Sequence, residues 1–175
     1  SGLLRAYAET SDAIKDHYEF MPFLFERGPA ERLVEQHERP DIATFSVSMW
    51  NEQLSLALAA QLKHRFADCL IMFGGPQVPH QGIDYFEQHP FVAVAVRGAG
   101  EQPFYDVLAR LTQASDLSDI PGLTWKDPSG RIIRNEGDAK LPPDLDTFPS
   151  AYVEGLYDCL FDADGEPVGH LQFQS

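Results

Sequence analysis

The chain has 175 residues, 43% of them hydrophobic, enough for one domain with a sizeable core. Its 27 acidic and 13 basic residues leave a net charge of −14, which repels phosphate backbones and anionic membranes and argues against nucleic acid as a partner. No apolar run approaches the ~20 residues that span a bilayer. No signal-peptide pattern is present either, and two cysteines far apart, Cys69 and Cys159, make no disulfide framework or zinc site and suit a reducing cytoplasm.

In chain order, residues 3–10 read as a helix with Leu3, Leu4, Tyr7 and Ala8 on one face. Tyr18 to Phe25 is aromatic and extended, and Pro22 confines it to an edge or irregular strand. Pro29 opens a short helix from Ala30 to His37. Ile42 to Val47 reads as a buried strand, and Asn51 to Phe66 as the longest helix, with a stripe of Leu54, Leu58 and Leu62. Leu70 to Phe73 is a continuous apolar run stopped by Gly74-Gly75-Pro76. Tyr85 to Gln88 is at most a turn or two of helix, and Val92 to Val96 is a further apolar run. Glu101 to Thr112 is an amphipathic helix with an acidic start. Buried strands alternating with helices predict an α/β fold, a parallel sheet covered on both faces.

After Thr112 the character changes. Leu123–Lys126 and Arg131–Asn135 flank Asp127-Pro128-Ser129-Gly130 and predict a β-hairpin. Residues 137–150 are rich in Pro and Asp and read as a wrapping linker. Phe161 to Phe173, turning at Asp164-Gly165, suggests a second hairpin.

Ligands of open parallel sheets bind beyond the carboxyl ends of the strands. Three such ends carry small or polar residues: Ser46 to Glu52, Gly74 to His80, and Arg97 to Glu101. Small residues admit close approach to backbone, and serine hydroxyls bond polar edges. Each also has a plainer account. Gly74-Gly75 makes a tight turn, Ser46 and Ser48 fit a strand-to-helix turn, Trp50 packs, and Glu101 suits a helix start. Of six histidines only His80 sits in a candidate ligand loop, and none forms a metal-binding cluster. Dinucleotide, P-loop and α/β-hydrolase signatures are missing, as is any catalytic nucleophile–base pair.

Phe45-Ser46-Val47-Ser48-Met49-Trp50-Asn51, Phe73-Gly74-Gly75-Pro76-Gln77-Val78-Pro79, Val96-Arg97-Gly98-Ala99-Gly100-Glu101, Ile120-Pro121-Gly122-Leu123 and Leu145-Asp146-Thr147-Phe148-Pro149-Ser150 together resemble the N-terminal cobalamin (vitamin B12)-binding region of cobalamin-dependent radical SAM enzymes. Ala99 stands where that family usually has Glu. The resemblance implies a flavodoxin-like (Rossmann-like) domain with cobalamin across the strand ends. Ser46 and Ser48 would face its nucleotide tail, and Met49, Trp50 and Asn51 would lie near the corrin. Gly74, Gly75, Pro76, Gln77 and Val78 would flank corrin or tail. Gly98, Gly100 and Glu101 would border the nucleotide pocket.

It also implies residues 1–115 as the cobalamin-binding domain, and 116–175 as hairpin and linker leading to a radical SAM barrel beyond Ser175. The 4Fe-4S cluster and S-adenosylmethionine belong to that barrel, and methyl transfer is the implied reaction. No DxHxxG motif is present to supply a histidine to cobalt. The alternatives are a flavodoxin-like domain binding FMN, or a signalling or docking domain. The chain starts in a helix, so the first, central strand is expected to be missing. The gap would be closed by rearranged strand order or by a segment such as Val168 to Phe173.

Overall fold

Three short apolar runs become parallel strands β1 (Ile42–Ser46), β2 (Leu70–Gly74) and β3 (Val94–Val96), side by side in chain order. The protein is represented by a computed structural model that describes residues 2–25, 27–79, 83–113, 116–140, 144–162 and 164–166. The expected hairpin is present as β4 (Leu123–Lys126) and β5 (Ile132–Arg134). It continues the sheet, because β4 pairs antiparallel with β3 through Val94–Trp125 and Val96–Leu123. The sheet is therefore mixed, with order β1-β2-β3-β4-β5.

The helices are α1 (Gly2–Ala8), α2 (Asp12–His17), α3 (Ala30–Glu35), α4 (Glu52–Arg65), α5 (Ile83–Gln88) and α6 (Glu101–Leu111). Successive strand residues point to opposite faces, so one sheet feeds two cores. Met72, Val94 and Val96 pack with Ala8, Ile14, Phe104 and Val107, from α1, α2 and α6. Ile71, Phe73 and Ala95 pack with Ala59 and Phe86, from α4 and α5. α3 leans on α4 through Leu33, Val34 and Leu58. Both faces are covered, which is why β2 and β3 read as unbroken apolar runs. Among the described residues no helix is long and apolar enough to cross a membrane.

Two sequence expectations are corrected. Residues 18–25 form no strand. Their side chains are held individually instead: the Tyr18 hydroxyl donates to the Leu108 carbonyl at 3.0 Å, and the Arg5 guanidinium lies over the rings of Phe20 and Phe23. Pro22 offers no N–H to a ladder, and Leu24 and Phe25 stay exposed. Second, β1 is a half-buried edge strand rather than a buried one, because its only strand partner among the described residues is β2. Inside the sheet β1, β2 and β3 pair directly, with no gap between them. Val168 to Phe173 and most of the second hairpin lie outside the described residues.

Candidate functional site

The parallel register aligns Ser46 with Gly74, and β3 ends beside them at Val96. All three strands thus stop at one edge of the sheet. A cavity of about 560 Å³ lies there, a volume usual for small-molecule sites. Its floor is Thr44, Ser46, Gly74 and Val96, and its far wall is Gly100, Glu101 and Phe104 at the start of α6. Leu4 of α1 closes one side.

The glycines here have different causes. Gly75 has φ +105°, and a Cβ on it would sit 2.5 Å from the Val47 carbonyl oxygen. The Gly74–Gly75 turn is docked on Val47, whose amide donates to the Gly74 carbonyl at 2.7 Å, while the Gln77 amide donates to the Val47 carbonyl at 3.2 Å. Gly75 is thus required by backbone approaching backbone. At Gly74 and Gly100 a Cβ would meet only a Val96 carbon at 3.8 Å and a Leu4 carbon at 3.4 Å. These two keep the cavity open, since a side chain on either would occupy it.

Glu101 is the first residue of α6, where the helix dipole favours a carboxylate. Its Oε2 is buried without a hydrogen-bond partner among the described residues. A buried carboxylate oxygen without a donor is costly, and Glu101 lines the cavity, so turning this carboxylate towards a ligand N–H or O–H would relieve that cost.

The expected contact residues divide. Ser46, Gly74, Gly75, Gly98, Gly100 and Glu101 line the cavity. Ser48 and Asn51 are engaged with each other: the Asn51 carboxamide accepts from the Ser48 amide at 2.8 Å and hydroxyl at 3.2 Å, and donates to the Ser46 carbonyl at 2.9 Å. That lock sets the turn from β1 into α4. Met49 and Trp50, in the same turn, are 75% and 53% exposed, so Trp50 is no core residue. Pro76 is exposed, Gln77 is half-buried, and Val78 lies in the core with Phe73 and Phe86. His80 lies outside the described residues.

The wrapping linker expected over 137–150 begins as a strap whose contacts the sequence did not show. After β5 the chain runs from Asn135 to Lys140 over the β3–α6 loop, forming a bridge between Gly98 and Ala139. The Ala99 amide donates to the Ala139 carbonyl at 3.2 Å, and Ala139 and Lys140 complete the cavity wall. Arg97, 1% exposed, fastens it. Its guanidinium donates to the Thr124 hydroxyl at 2.7 Å and to the Asn135 and Gly137 carbonyls at 2.9 and 3.1 Å, with Asp138 at 3.5 Å. Burial pushes the Arg97 pKa down and Arg134 adds to this, while Asp138 opposes both. Asn135 completes the network, donating to the Leu117 and Ile120 carbonyls at 2.6 and 2.8 Å and accepting from the Trp125 indole at 3.1 Å. The buried charge at Arg97 and the Asn-Glu-Gly-Asp break after β5 were the available signals.

A second cavity, about 570 Å³, lies along the hairpin between Asp116 and Arg131, away from the strand ends. Among the described residues no group of three or more His, Cys, Asp or Glu is placed to hold a metal ion.

No protein-family model matches the chain. Curated relatives do. Over 159 residues it is 33% identical to the cobalamin-dependent radical SAM methyltransferase TokK of Streptomyces tokunonensis, covering 90% of this chain and 23% of that protein. It is 31% identical over 159 residues to 2-(S-pantetheinyl)-carbapenam-3-carboxylate methyltransferase of Streptantibioticus cattleyicolor, with the same coverage. The chain thus spans about a quarter of the length of these relatives. Among solved structures, the fold matches the cobalamin-dependent S-adenosylmethionine radical enzyme OxsB. The apo form aligns with TM-score 0.57 at 18% identity, over 79% of this chain and 19% of that one. The form with aqua-cobalamin and S-adenosylmethionine bound aligns at 0.51 and 19%, over 74% and 18%.

Proposed function

Because the chain is homologous to one segment of the cobalamin-dependent radical SAM methyltransferases, we propose that it is the cobalamin-binding module of such an enzyme. The observation that carries this is the strand-end cavity: it is kept open at Gly74 and Gly100 and is lined by Glu101, whose Oε2 has no donor among the described residues. Cobalamin fits that chemistry, because its periphery is rich in amide N–H groups and its nucleotide tail carries hydroxyls.

A cavity of about 560 Å³ takes part of so large a molecule, and the tail is the part slender enough to enter. Glu101 would accept from a donor on it, and Ser46, which lines the same cavity, would offer its hydroxyl. Met49 and Trp50 present apolar surface from the turn that follows Ser46, available to the corrin. When bound, cobalamin supplies a cobalt centre for methyl transfer. The chain's own residues bind, orient and partly enclose it. By similarity to those relatives, S-adenosylmethionine chemistry would belong to a radical SAM domain with its 4Fe-4S cluster, and turnover of S-adenosylmethionine by this chain alone is not expected.

An FMN site would place a dianionic phosphate in a cavity whose described lining holds one cation, Lys140, beside the Glu101 carboxylate, whereas the cobalamin tail carries a single negative charge. Titrating the chain with hydroxocobalamin, with FMN in parallel, tests the assignment by absorbance. A saturable, one-to-one change with cobalamin and none with FMN is expected. Binding of FMN, or of neither, would refute it.

A further inference from the structure

We propose that the strap from Asn135 to Lys140 is part of the ligand site, and that Lys140 holds the phosphodiester of the cobalamin tail. This rests on the cobalamin reading above and assigns a contact to a segment outside the three strand-end motifs.

The chain carries a net charge of −14, so an anionic group has little general reason to approach it. The cavity differs locally. Among its described lining residues Lys140 is the one cation and Glu101 the one carboxylate. The Lys140 ammonium has no ion-pair or hydrogen-bond partner among the described residues, and the side chain is exposed. Glu101 already occupies the positive field at the start of α6. An anionic ligand group therefore has Lys140 as its counter-charge. A cavity with a donor-seeking carboxylate on one wall and an ammonium on another suits a ligand that carries hydroxyls beside a phosphate. The ribose phosphodiester of the tail has that composition, whereas the corrin periphery offers neutral amides.

The position of Lys140 is built rather than incidental. Ala139, its neighbour, is bridged to Gly98, and Gly98 has φ +80° with no room for a Cβ against the Ala139 backbone. Arg97 holds the preceding carbonyls of Asn135 and Gly137. The strap thus delivers Lys140 to the cavity at the end of a buried clamp.

The test compares cobalamin with cobinamide, which has the corrin but lacks the nucleotide tail. Both are titrated into the wild-type chain and into Lys140→Ala, Lys140→Glu and Lys140→Arg. Since Lys140 is exposed, these variants keep the fold, and thermal melts check that. Lys140→Ala is expected to weaken cobalamin about fivefold, in the range of an exposed ion pair. Lys140→Glu weakens it further, Lys140→Arg retains it, and cobinamide affinity stays the same throughout. If the wild type binds cobalamin but Lys140→Ala leaves that affinity unchanged, or weakens both ligands equally, the Lys140 assignment is wrong and the cobalamin module stands. If the wild type binds neither ligand, the module itself is wrong and this inference falls with it.

Discussion

Gly74 and Gly75 are adjacent, yet substitution at each should fail in a different way. Gly75→Ala forces a Cβ against the Val47 backbone at positive φ and should cost about 2 kcal/mol of stability. Gly74→Leu meets no backbone, fills the cavity, and should leave the unfolding midpoint near wild type while lowering cobalamin affinity at least about tenfold. Paired denaturant melts and ligand titrations separate the two. The sequence showed that glycines were wanted here but not why: close approach of a ligand and close approach of Val47 leave the same letter.

Tyr85 is a different residue-scale case. Its hydroxyl is buried without a partner among the described residues, and its pKa is pushed up to about 12, chiefly by burial and secondarily by Glu52. The folded chain keeps the proton that the unfolded chain, at 10.0, releases. Stability from this group is therefore complete below pH 10 and falls as pH rises towards 12. Tyr85→Phe should show a shallower alkaline loss in urea melts, with little change at neutral pH.

Among the elements, those whose signals are local were legible. β2 and β3 are apolar runs cut off by glycine or arginine. The hairpin turn is written in Asp127, whose carboxylate accepts from the Ser129 amide at 2.9 Å and the Arg131 amide at 3.0 Å. Residues 18–25 have strand-like composition, but composition does not supply a partner strand, and the chain there docks by single side chains instead. The strap was legible as a wrapping linker, but its docking partners were not, for the opposite reason. Two of its carbonyls accept from Arg97, about 40 positions earlier, and the Asn-Glu-Gly-Asp break marks the end of β5 but not where the strap docks. Arg97 is where the strap can be released. Arg97→Met leaves the Thr124 hydroxyl and the Asn135 carbonyl without this donor and the Gly137 carbonyl with the Gly122 amide alone, and should cost about 3 kcal/mol. Amide exchange at Gly137 to Lys140 should rise more than at β2. Equal rises at both would mean that Arg97 supports the whole sheet and not the strap.

For the whole molecule, the sheet brings β1, β2 and β3 to one edge, and α1 near the start and the strap after the hairpin contribute Leu4, Ala139 and Lys140 to the same place. Distant parts of the sequence thus share one cavity, while the second cavity along the hairpin draws on residues 116–133 alone. Hydrogen exchange of the chain with and without saturating hydroxocobalamin distinguishes them most directly. Protection is expected in 44–48, 72–76, 96–104 and 136–140, with 123–134 unchanged. Protection confined to 116–134, or none in the strand-end segments despite bound cobalamin, would contradict the placement of the ligand at the strand ends.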